Sequence, residues 1–99
     1  MSKKYKVDKV SITENAQREF NQMHQNLEEH YSTRVANKFA QDFDDKIEDL
    51  KQNPDIYQYS NVKKDTRRAL FGKYGAFLYQ VIKSTTLLIT TIFDTRQNR

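Results

Sequence analysis

Apolar positions along the chain fall into a loose first run, two helical stripes and three denser runs. Between Lys4 and Ile12 the apolar residues are Tyr5, Val7, Val10 and Ile12. This predicts a strand whose strict alternation fails between Val7 and Val10. Ala16, Phe20, Met23, Leu27 and Tyr31 follow at steps of four, three, four and four, the spacing of one helical face. Thr13 is the expected N-cap, since its hydroxyl can accept from an otherwise unpaired amide of the first turn. The helix should end near His30 or Tyr31. Ser32 or Thr33 then caps a second helix with Val35, Ala36, Phe39, Ala40, Phe43, Ile47 and Leu50 as its stripe. Pro54 disfavours helical geometry at Asn53 and stops it. Two helices joined by so short a link must lie side by side and antiparallel.

After a tyrosine-bearing connection from Asp55 to Asp65 the period changes. Thr66 to Phe71 reads as a strand, Gly72 to Gly75 as a turn, and Ala76 to Ile82 as a second strand. Leu87 to Phe93 is a third, reached through a hairpin loop from Lys83 to Thr86. The last two are nearly continuous in apolarity, which predicts central positions. The fold class is therefore α+β in the order β-α-α-β-β-β, with a helix hairpin packed on a mainly antiparallel sheet.

A chain of 99 residues has room for one core and is read as a single domain, 1–99. There is no cysteine, which excludes disulfides and thiolate metal sites. No apolar run follows the N-terminal lysines, and no window of about 18 apolar residues exists, so neither a signal peptide nor a membrane span is expected. The expected compartment is the cytoplasm. Charge sharpens the picture. Residues 1–54 carry nine Lys/Arg against ten Asp/Glu, whereas residues 55–99 carry eight against three. A basic C-terminal half points to an acidic partner or a nucleic acid, or serves solubility alone.

Gly72 and Gly75 cannot form a phosphate-binding fingerprint. His24 and His30, six residues apart, project about 120° from coincidence on a helix and cannot share a small ligand, so no metal and no cofactor is expected. Asp42, Asp45 and Asp49 share a helical face, which reads as a solvated surface rather than a catalytic pair, because nothing nearby desolvates them. The candidates with more content are Arg67, Arg68, Lys73, Tyr74 and Arg96. In an extended strand Arg67 and Arg68 point to opposite faces and cannot share a task. Tyr57, Tyr59, Tyr74 and Tyr79 are interleaved with these charges, so arginines could hold phosphates while aromatics stack on bases. Tyr79, in an apolar strand, is read as core.

These pieces, in this order, resemble the RelE/ParE toxin superfamily. They are Ile12-Thr-Glu-Asn-Ala16, the helix from Ala36 to Pro54, Arg67-Arg-Ala-Leu-Phe71, Tyr79-Gln-Val-Ile82 and Ile92-Phe-Asp-Thr-Arg96. The resemblance implies a helix hairpin on an antiparallel sheet and a toxin neutralised by a cognate acidic antitoxin, in a hetero-oligomer. It offers two activities. RelE-like members are similar to one another in cleaving ribosome-bound mRNA with a cluster of basic residues. Aligned on Tyr79 to Val81, one of their arginines falls on Ala76, another on Arg96, and their C-terminal aromatic beyond Arg99. An RNase on this pattern would lack charge stabilisation that phosphoryl transfer needs. ParE-like members resemble poisons of DNA gyrase that act by binding, and this branch fits better. Asp94 stands where many relatives have a histidine. Arg67, Arg68 and Arg96, with Lys73 and Tyr74 beside them, are the expected target contacts. A non-toxic interaction module on the same fold is the third reading.

Overall fold

A computed structural model describes residues 7–53, 65–82 and 85–96. The elements are β1 (Lys9–Ile12), α1 (Glu14–His30), α2 (Thr33–Gln52), β2 (Arg67–Phe71), β3 (Gly75–Ile82) and β4 (Thr86–Asp94). The helix hairpin forms as its stripes predict, and both caps are chemical. Thr13 Oγ1 accepts from the Ala16 amide at 3.1 Å and Ser32 Oγ from the Val35 amide at 3.1 Å. The expected connection 55–65 and the loop residues Lys83 and Ser84 lie almost wholly outside the described residues, as do Tyr57, Tyr59, Lys63 and Lys64.

The sheet runs β1-β4-β3-β2. β3 pairs antiparallel with both β2 and β4, whereas β1 pairs parallel with β4. The near-continuous apolar strands β3 and β4 hold the centre, as their composition predicts. Of the run read from Lys4, residues 4–6 lie outside the described residues. Among the described residues β1 begins at Lys9, because the chain at Val7 has turned to the end of α2: the Val7 amide donates to the Lys51 carbonyl at 3.0 Å. Val7 is buried there, while Val10 and Ile12 face the core from the strand. Two different burial sites explain the broken alternation.

The helices cover one face of the sheet, and phenylalanines join the layers. Phe43 of α2 lies 4.9 Å from Phe20, 5.2 Å from Phe71 and 5.4 Å from Phe77 between ring centroids. Phe39 extends the cluster to Phe71 at 5.2 Å, and Tyr79, fully buried, closes it beside Phe77. These are favourable tilted and edge-on separations. Gly75 allows the cluster to fill the sheet edge, since a Cβ there would sit 2.5 Å from the Phe71 ring. Val35, expected in the stripe, is 40% exposed. Ala36 beside it is fully buried, so the buried face of this first turn of α2 passes through Ala36 rather than Val35.

A bulge in β4 sets the helix against the sheet. Leu78 pairs with Thr91 but Tyr79 with Ile89, leaving Thr90 as the extra residue. Its carbonyl accepts from Thr13 Oγ1 at 3.3 Å and Asn15 Nδ2 at 3.4 Å. β1 ends opposite Ile89, and beyond it the Ile92 amide donates to Glu19 Oε1 at 2.9 Å. Side chains of the first turns of α1 thus take over the ladder where β1 stops, satisfying backbone groups that would otherwise be orphaned.

Candidate binding surfaces

β2 separates its two arginines. Arg67 lies on the side of Ala69 and Phe71, half-buried toward the helices, and Arg68 lies with Leu70 on the far face. The guanidinium of Arg68 sits 5.6 Å over the Phe93 ring. Register explains how it reaches two strands across. Leu70 pairs with Ala76, which pairs with Phe93, and the small, fully buried Ala76 leaves room between them. Leu70 is 50% exposed and Ile82 37%, so this face carries apolar surface beside a cation. Among the described residues no carboxylate pairs with Arg68. A stacked guanidinium without a counter-ion keeps its donors and its charge for another molecule.

Arg96 is in a different condition. The Thr95 amide and hydroxyl both donate to the Tyr74 carbonyl, at 2.8 and 3.1 Å, extending the β3–β4 pairing one step past Gly75 and Asp94. This places the Arg96 guanidinium 4.2 Å from the Tyr74 ring centroid, with Lys73 Nζ at 5.8 Å from the same ring. Asp94 holds Arg96 from behind. Its Oδ1 accepts from the Arg96 backbone amide at 2.8 Å and from Nε at 3.0 Å, and its Oδ2 from Nη2 at 2.5 Å. The hydrogen bond from Arg96 lowers the Asp94 pKa below its ordinary value, against a smaller opposing effect of burial. In turn the bond to Asp94 raises the Arg96 pKa, and Tyr31, at the C-cap of α1, raises it further by a smaller amount.

The five residues singled out in the sequence are therefore not one site. Lys73, Tyr74 and Arg96 share the end of the sheet, Arg68 lies on the far face, and Arg67 lies on the helix side with interactions of its own. Sequence reasoning missed Tyr31 as a neighbour of Arg96. Its backbone (φ −128°, ψ −83°) has left the helix, so continuing the α1 period mis-aims its side chain. It is 63% exposed. The acidic face of α2 divides similarly. Asp45 is exposed and accepts from Gln41, but Asp42 pairs with Lys38 at 2.7 Å and packs on Gly72, whose φ of +61° suits glycine. His24 stacks on Phe20 at 6.3 Å while His30 Nδ1 lies 3.0 Å from the Asn26 carbonyl. An open groove of about 270 Å³ where the two helices meet β1 and β4 is lined by Ile12, Gln17, Phe20, Ala40, Asp44 and Ile92, among others. It contains none of the basic candidates. Among the described residues no helix is long and apolar enough to cross a membrane.

The fold is thus a helix hairpin over one face of a four-stranded mixed sheet, with cations and aromatics at its far face and end. Residues 10–99 match the family described as "ParE toxin of type II toxin-antitoxin system, parDE". The chain belongs to the ParE toxin family. Among solved structures it is similar to one titled "Chromosomal ParDE TA system from P. aeruginosa", with a TM-score of 0.74 and 13% identity, covering 89% of this chain and 96% of that one. At that identity the likeness concerns the fold. No curated protein sequence matches the chain.

Proposed function

We propose that this chain is a toxin that inhibits DNA gyrase or a related topoisomerase by binding it, and that an acidic antitoxin neutralises it in a cytoplasmic hetero-oligomer. Family membership supports the toxin reading, and the solved relative's title pairs ParE with ParD. The observation that carries binding over RNA cleavage is the dispersal of the arginines. Phosphoryl transfer needs several donors converging within hydrogen-bond reach of one phosphate. Here Arg67 and Arg68 diverge across the strand, and Arg96 is held by Asp94. Arg68 with Leu70 and Phe93, and Lys73 with Tyr74, instead suit a protein surface, where arginine and tyrosine are common binding anchors. Arg68 and Lys73 are the proposed polar contacts. The basic C-terminal half would speed and orient association with an acidic antitoxin, while apolar groups hold it.

The test is pulse-labelling of DNA and protein synthesis after inducing the chain without a partner. The reading requires DNA synthesis to fall first. If protein synthesis falls first and ribosome-bound mRNA is cut, the RelE-like activity replaces it.

A further inference from the structure

We propose that Arg96 is a positioning residue rather than a target contact. With Asp94 and Tyr74 it forms a latch that fixes the chain as it leaves β4. For function, this rests on the binding reading above; as a structural element it stands independently.

The geometry has three parts. Thr95 is held by two hydrogen bonds to the Tyr74 carbonyl, so the exit from the strand is tied to the β2–β3 turn. Arg96 then folds back over the ring of Tyr74, the residue whose carbonyl holds Thr95, at 4.2 Å. Asp94 receives the Arg96 backbone amide and two guanidinium nitrogens, closing a ring across a two-residue step. A fork of this kind fixes orientation as well as charge. The same bonds make Arg96 a poor free cation, because a carboxylate offsets its charge at contact distance. Tyr31 approaches from the α1–α2 link, so the latch also faces the tip of the helix hairpin. Arg68 stacks on a ring without any carboxylate contact among the described residues, so stacking alone does not define the latch.

Two measurements on the full chain separate the latch from its use. The first is hydrogen exchange at the Thr95 amide. Asp94→Asn and Arg96→Ala should each accelerate it about tenfold by raising local opening, with β3 core amides unchanged. Arg68→Ala should leave it alone. Wild-type exchange at Thr95 in both latch variants would overturn the proposal. The second is inhibition of gyrase supercoiling. A positioning role requires Asp94→Asn to weaken inhibition in the same direction as Arg96→Ala. If Arg96 touches the target, Asp94→Asn frees its guanidinium and preserves or strengthens inhibition, which overturns that role. If the wild type does not inhibit gyrase, the functional reading falls, and the exchange data alone decide the latch.

Discussion

Arg68 and Arg96 lie against aromatic rings in the same small sheet, and their electrostatic states are opposite. Arg68 rests on Phe93 with exposed Leu70 beside it and no described carboxylate in contact. Arg96 rests on Tyr74 while Asp94 binds it through three nitrogens. The first can give its charge to a partner. The second already holds an internal anion, and a partner would have to displace it. The number of Lys and Arg, 17, therefore overstates the cations open to recognition, since Arg96 is one whose charge is already met.

The largest expected effect lies under the opposite face of the sheet from Arg68, in the aromatic core that fixes the strands carrying both arginines. Phe43→Ala opens a cavity among Phe20, Phe71 and Phe77 and should cost about 3–5 kcal/mol in urea unfolding. A loss under about 1 kcal/mol would mean the cluster is not the core's centre. Charge reversal at the two arginines comes next. Arg68→Glu should weaken antitoxin binding by about a hundredfold, through repulsion of an acidic segment and loss of an anchor. Arg96→Glu should weaken it by about tenfold or less, because the native charge is already offset. Equal losses in a calorimetric titration would erase the distinction.

Smaller effects concern stability. Because the Asp94 pKa is lowered on folding, its pairing stabilises the protein above the ordinary value of 3.8 and is lost as pH falls through the lowered folded value. Arg96 is 44% exposed in its side chain, so solvent limits the contribution to about 1 kcal/mol or less. Asp94→Asn should flatten that acid limb of the stability curve; an unchanged slope would remove the pair from the account. Smallest of all, Leu70→Ala on the exposed face should change stability by under about 1 kcal/mol, while reducing antitoxin affinity. A stability loss comparable to that of Phe43→Ala would show the far face to be packed.

What could be read from the sequence follows the range of the interactions involved. The caps at Thr13 and Ser32, both helical stripes and the central strands are local patterns, and they appear where the residues predict. The opposed directions of Arg67 and Arg68 were also legible, because strand geometry alone dictates them. The parallel pairing of β1 with β4 was not, since it joins Lys9 to Thr86 and leaves no local signal. Nor was the Thr90 bulge, whose carbonyl is satisfied by Thr13 and Asn15 from the other end of the chain. Asp94 and Arg96 are two residues apart, close enough to have suggested a pair. Which way Arg96 would fold depended on Tyr74 lying across the hairpin. Val35 lies in the helix but is 40% exposed while Ala36 is fully buried, because an apolar stripe two residues wide does not report which of them faces the core.

The most direct test of the account is supercoiling of relaxed plasmid by purified gyrase, titrated with the wild-type chain and with Arg68→Ala. The account predicts inhibition by the wild type, weakened about tenfold or more by Arg68→Ala, with no cleavage of ribosome-bound mRNA by either. Unchanged supercoiling at large molar excess of the wild type would contradict it.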